Sequence, residues 1–185
     1  MKSRELTSCP MRGIRQMLKV VRLYYKAFPA NERKPFRMIL KKRSAGKSDI
    51  WYFSRNGRFA GFATTINGDG LILIDYLAVE KEMRGKGAGS DALQSLREKY
   101  AGQGVFVEIE SVYEEYDDMD ERLRRKRFYE KNGMKELRVL ADVFGVRMEL
   151  MGWDCGMTFE KYQAFYREHN SPWAAEHLKY VEFPR

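Results

Sequence analysis

The chain has 185 residues, the size of one domain, with 44% hydrophobic content for a packed core and a formal net charge of +8 that suits an anionic partner or plain solubility. Two cysteines, Cys9 and Cys155, form no C-x-x-C pair, and with only His169 and His177 besides them neither a disulfide framework nor a metal site is expected. No apolar run reaches the length of a membrane span and the first residues lack a signal peptide's apolar region, so no membrane role and a cytoplasmic location are expected.

Ser3 to Ser8 is read as a short first strand. Met11 to Phe28 carries Ile14, Met17, Leu18, Val21 and Tyr25 as a helical stripe, and Pro29 ends it. Asn31-Glu32-Arg33-Lys34 leads through Pro35 into a second helix, Phe36 to about Arg43, followed by a loop over Ser44 to Ser48. Two aromatic and β-branched runs, Ile50 to Ser54 and Phe59 to Thr65, flank Asn56-Gly57, a strong hairpin signal. Gly68-Asp69-Gly70 turns the chain into Leu71 to Val79, an apolar run broken only by Asp75, which fits a buried strand.

After the charged turn Glu80 to Met83 comes Arg84-Gly85-Lys86-Gly87-Ala88-Gly89, and then Leu93, Leu96 and Tyr100 at helical spacing. Gly102-Gln103-Gly104 turns into another strand, Val105 to Glu110. The acidic stretch Glu114 to Glu121 reads as solvated loop and helix start. Arg122 to Lys131 is helix, closed by Asn132-Gly133. Met134 to Ala141 and Val146 to Met151 form a second hairpin around Val143-Phe144-Gly145. Phe159, Tyr162, Phe165 and Tyr166 mark an aromatic-rich helix in the tail.

The strand, glycine loop and helix around residues 71 to 100 have a physical use. The first N–H groups of a helix lack intrahelical partners and lie at the positive end of its dipole. Glycines remove the Cβ atoms that would hold an anion away, and Arg84 and Lys86 add charge. The dinucleotide fingerprint fails, because Ser90 stands where the last glycine is needed, and Walker A fails at Gly46-Lys47-Ser48, because position 41 is lysine.

Arg84, Gly87 and Gly89 do fit [QR]-x-x-G-x-[GA], and this loop resembles the acyl-CoA loop of the GNAT superfamily of N-acetyltransferases. Arg125-Lys126-Arg127-Phe128-Tyr129-Glu130-Lys131-Asn132-Gly133-Met134 resembles the second signature of that family, with Met134 in place of a phenylalanine. The stretch Phe28 to Pro35 is similar to the loop between the first two helices of many members. The resemblance covers roughly residues 10 to 151. It implies an α/β (α+β) fold with a mixed, mostly antiparallel central sheet flanked by helices, and an aromatic-rich C-terminal helical tail. The expected division is an acyl-CoA-binding acetyltransferase domain over 1–152 and a tail over 153–185, packed on the same domain or on a dimer partner.

The resemblance further implies that Leu77, Ala78 and Val79 pair their backbone with the pantetheine arm of acetyl-CoA. Arg84, Gly85, Lys86, Gly87, Ala88, Gly89 and Ser90 would hold its diphosphate, and Tyr129 would stand near its sulfur. An amine must lose a proton from a pKa near 10.4 before it attacks a thioester carbonyl, a task for a carboxylate base. The oxyanion needs a preplaced donor, and the Val79 N–H is the family-like choice. Tyr129 could return a proton to the thiolate. Glu108 and Glu110 share one face of their strand; Glu108 is the first candidate base, with Glu110 and Glu32 as others. The bland alternatives are solvated or ion-paired carboxylates, and a Tyr129 that simply packs on the core.

The expected activity is therefore transfer of an acetyl group from acetyl-CoA to a primary amine of a small molecule or protein. Two alternatives are a nucleic-acid-binding protein on the same scaffold and a CoA-sensing module without catalysis. The net charge and the basic runs at 33–43 and 122–127 serve the first, but no nucleic-acid motif is present and the aromatics sit mostly at core periodicity. Trp153 and Trp173 in the tail leave a homodimer open.

Overall fold

A computed structural model describes residues 6–30 and 32–184, so the part of the expected first strand before Leu6 lies outside the described residues. The chain forms two compact units, Met1–Asn67 with Ile74–Lys99, and Gly68–Leu73 with Tyr100–Arg185. Both are built from mixed α and β elements, with mostly antiparallel strand pairing.

In the first unit the strands run in the order β1 (Leu6–Pro10), β2 (Ser48–Arg55), β3 (Arg58–Gly68) and β4 (Leu71–Val79), of which Ile74–Val79 belongs here. β1 pairs antiparallel with β2, and β2 with β3. Asn56 and Gly57 both take positive φ, 51° and 72°, the conformation that a two-residue hairpin loop demands. Helices α1 (Gly13–Ala27), α2 (Phe36–Ser44) and α3 (Ala88–Lys99) complete the unit. Its core gathers Tyr24, Phe36, Phe62 and Tyr76, with the Tyr24 and Tyr76 rings edge-on at 4.9 Å.

The face that α1 buries differs from the expected stripe. Val20, Leu23 and Tyr24 are inside, whereas Ile14, Leu18 and Tyr25 are more than half exposed. The helix carries two overlapping apolar arcs, and the arc with Tyr24 meets an aromatic cluster that Ile14 and Leu18 cannot match for area.

In the second unit Leu71–Leu73 of β4 pairs parallel with Gly104–Phe106 of β5 (Gly104–Glu110). β5 then pairs antiparallel with β7 (Val146–Trp153), β7 with β6 (Lys135–Val143), and β6 with β8 (Leu178–Val181). The helices are α4 (Met119–Lys131), α5 (Phe159–His169) and α6 (Pro172–Glu176). α4 starts three residues before the expected Arg122, with Asp120 and Glu121 in its first turn, where carboxylates favour the positive helix end.

The tail is part of this unit. α5 buries Tyr162, Phe165 and Tyr166, and the Phe165 ring meets Phe106 of β5 at 5.3 Å. His169 at its end donates from Nε2 to the Asp69 carboxylate at 3.1 Å, and its ring fills the space where a side chain at Gly68 would stand. The strand β8, laid on β6, is an element the sequence reading did not include.

Candidate active site

The glycine loop is built on the end of β4. Gly61 of β3 lies so close that a Cβ there would fall 2.3 Å from the Ala78 carbonyl oxygen and 3.0 Å from Val79 Cα. Only glycine lets the two backbones meet at this point. The Glu80 N–H donates to the Ala60 carbonyl at 2.9 Å, and the buried Glu80 carboxylate binds Arg22 of α1 at 3.1 Å. Leu77, Ala78 and Val79 are thereby held at the strand end, Ala78 buried and its two neighbours half-buried.

A 3₁₀ turn over Lys81–Met83 follows, closed by Met83 N–H to the Glu80 carbonyl at 2.9 Å. Gly85 and Gly87 then adopt φ of +70° and +79°, the left-handed region that strains other residues. Nothing lies within 4 Å of where their side chains would start, so the loop faces open space. Arg84 to Gly87 are exposed, Ala88 is buried, and Gly89 and Ser90 are half-buried. The helical bond from Asp91 N–H to the Gly87 carbonyl, 3.0 Å, leaves the N–H groups of Ala88, Gly89 and Ser90 ahead of the α3 ladder. Leu93 and Leu96 anchor that helix in the core. These residues fit an anionic diphosphate: the loop offers main-chain donors, positive charge and no side chain in the way.

A residue absent from the sequence reading sits beneath this loop. Arg55, at the end of β2 and only 8% exposed, donates to the Lys86 carbonyl at 2.7 Å and binds the Asp91 carboxylate. No local pattern marks it, since an arginine next to a hairpin turn is ordinary in sequence.

The α1–α2 connection also belongs to this unit. The Tyr76 hydroxyl donates to the Glu32 carbonyl at 2.9 Å and accepts from Lys34 N–H at 3.0 Å, while Lys34 Nζ reaches Asp75 at 2.8 Å. Glu32, one of the candidate bases, keeps its side chain exposed.

The remaining candidates fall in the second unit. Tyr129 lies on α4, half-buried, with its ring edge-on to Phe128 at 5.2 Å. Burial pushes its phenol up to about 12, against a smaller opposite pull from the Arg125 guanidinium. Glu110 is committed to Arg125 at 2.6 Å and to Arg122 at 3.5 Å, which fastens α4 to β5. Glu108, half-buried, accepts from the Tyr162 hydroxyl of α5 at 2.6 Å, and burial beside this carboxylate drives the Tyr162 phenol well up. The tail thus supports one candidate base directly.

Beside them lies a partly buried polar cluster that sequence reasoning missed. Lys126 Nζ donates at 2.7 Å to both Glu136 and Glu149, and Tyr113 donates to Glu136. Glu149 is fully buried. Burial raises its pKa and the Lys126 ammonium pulls it partly back. For Glu136 the net shift is downward, because its bonds to Lys126 and Tyr113 outweigh its burial. The signal lay in one glutamate among apolar neighbours, Met148, Leu150 and Met151, on β7.

Residues 17–134 match the model of the acetyltransferase (GNAT) family. A provisionally assigned acetyltransferase of Bacillus subtilis (strain 168), YjbC, is 31% identical over 140 residues, 68% of this chain. That alignment spans 65% of the relative's own length. Among solved structures, a provisionally assigned GNAT-family acetyltransferase of Bacteroides thetaiotaomicron superposes with a TM-score of 0.70 at 18% identity, covering 88% of this chain and 94% of the other. A GNAT-family acetyltransferase of Elizabethkingia anophelis, solved with acetyl-CoA bound, gives 0.58 at 12% identity, covering 83% of this chain and 100% of its own.

Proposed function

The chain belongs to the acetyltransferase (GNAT) family, and from that membership we propose that it moves an acetyl group from acetyl-CoA to a primary amine of a small molecule or a protein. The observation that carries this reading is the loop itself: two left-handed glycines, Gly85 and Gly87, facing open space at the N-terminus of α3 and alternating with Arg84 and Lys86. Family members solved with acetyl-CoA or CoA support the same co-substrate.

Bound there, acetyl-CoA supplies an acetyl group activated as a thioester. The main chain of Leu77 to Val79 offers an extended edge for its arm, and the Val79 N–H a donor for the acyl oxygen. Arg84 to Ser90 hold the diphosphate through N–H groups and charge. Glu108 takes the proton of the acceptor ammonium, directly or through water, and the Tyr162 hydroxyl that donates to it holds the carboxylate in place.

Tyr129 is best described as a donor. A phenol near 12 stays protonated at neutral pH. Handing its proton outright to a thiolate of ordinary pKa, about 8.5, would be uphill by roughly 5 kcal/mol. Its hydroxyl therefore donates a hydrogen bond to the departing sulfur, and the net proton comes from solvent or the amine. Replacement Tyr129→Phe should lower kcat by about tenfold to a hundredfold at unchanged acetyl-CoA affinity. Thiol release from acetyl-CoA in the presence of a panel of amines and lysine peptides tests the whole reading. Amine-dependent release supports it, and release indifferent to every amine, or an unaltered Tyr129→Phe rate, counts against the reaction or the residue respectively.

A further inference from the structure

We infer that Arg55 is a positioning residue that sets the diphosphate loop from below. This rests on the reading of Arg84 to Ser90 as the acyl-CoA loop. The peptide bonds of the described chain are trans, so the N–H of each unit points opposite to the carbonyl it is joined to. Arg55, buried under the loop, holds the Lys86 carbonyl at 2.7 Å. The Gly87 N–H, on the far side of that same peptide, must then point away from Arg55. Gly87 has φ of +79° and open space where a side chain would stand, so this N–H is aimed where an anion can reach it. Without the guanidinium the Lys86–Gly87 peptide is free to rotate, because glycine tolerates both arrangements.

The second contact acts on charge. Asp91 lies in the first turn of α3, where its carboxylate helps the helix but repels a diphosphate. Arg55 binds that carboxylate and neutralises it. The guanidinium keeps its Nε buried without a hydrogen-bond partner, a placement that stability alone does not favour. One side chain therefore turns a main-chain donor outward and cancels a negative charge in the first turn of α3.

The test compares two thioesters in the full chain: acetyl-CoA, and S-acetylpantetheine, which has the same reactive end without the diphosphate and nucleotide. With Arg55→Met, the affinity for acetyl-CoA should fall on the order of tenfold to a hundredfold, the range for charge-assisted hydrogen bonds. KM for S-acetylpantetheine and kcat with either thioester should stay as in the wild type. Arg55→Lys, which keeps the charge and one donor, should recover part of the loss. Equal weakening of both thioesters, or of neither, overturns the inference. Should the Met variant not fold, Asp91→Asn at a half-exposed site decides: removal of that carboxylate should leave acetyl-CoA affinity equal or a few-fold tighter, and a large loss overturns the account. A wild type that binds both thioesters alike would remove the loop reading itself, a failure distinct from that of Arg55.

Discussion

The two units carry their candidate chemistry in different materials. In the first, the loop is made of main chain: Gly61 lets β3 approach the Ala78 carbonyl, and Gly85 and Gly87 turn left-handed into open space. In the second, the candidates are side chains held by other side chains, with Glu108 on Tyr162, Glu110 on Arg125 and Lys126 between two glutamates. A site made of main chain is written in glycines, whose positions in sequence are nearly their positions in space. A site made of side chains depends on partners tens of residues away, which no local pattern announces.

The largest effect is expected when a charge is removed from the second unit. Lys126→Met leaves the fully buried Glu149 without its ammonium and should cost about 3–5 kcal/mol in chemical unfolding. The loss should depend on pH in a set direction. Burial raises the Glu149 pKa, and the variant lacks the lysine that opposed it. The folded state then holds that proton more tightly than the unfolded state. In the window above the ordinary carboxylate pKa the folded state binds more protons, so stability falls as pH rises. The variant should therefore lose less at about pH 5 than at about pH 8. A pH-independent loss would mean that Glu149 does not titrate in this way.

The matching change in the first unit is Gly61→Val. Its Cβ would meet backbone, which cannot swing aside, so an overpacking cost of about 1–3 kcal/mol is expected. Here the end of β4 should move as well, and acetyl-CoA affinity should fall more than the stability loss alone explains. A variant that loses stability but binds acetyl-CoA normally would show that the strand end is not part of the site. Smaller still is Tyr162→Phe, which removes one hydroxyl from Glu108 and should cost about 1–2 kcal/mol of stability. If Glu108 is the base, the pH profile of kcat should move with this change; a profile that does not move argues for a merely structural pair.

Much of the fold was legible because periodicity and turn chemistry are local. Asn56-Gly57 announced the first hairpin and Phe144-Gly145 the second, and all four residues take positive φ. The expectations that needed correction were those settled by long-range packing. The apolar residues of α1 do form a helix, but Tyr24 rather than Leu18 faces the core, because the aromatic cluster lies on that side. β8 is four residues with no turn signal of its own, and it is a strand because β6 offers an edge. A register shift between Glu136 and Leu140, with Arg138 at φ of 55°, interrupts what reads in sequence as one continuous strand. Arg55 likewise looks ordinary until the loop is folded over it.

The proposed activity requires that Arg84 to Ser90 hold acetyl-CoA. A thermal melt of the full chain with acetyl-CoA, and with NAD and ATP as controls, tests it most directly. At about a hundred times its Kd the ligand should add roughly 2.7 kcal/mol and raise Tm by about 5–10 °C. The shift should appear with acetyl-CoA alone and vanish in Gly87→Glu, which places a carboxylate at a left-handed position facing the anion. No shift in the wild type, or an equal shift with ATP, would contradict the claim.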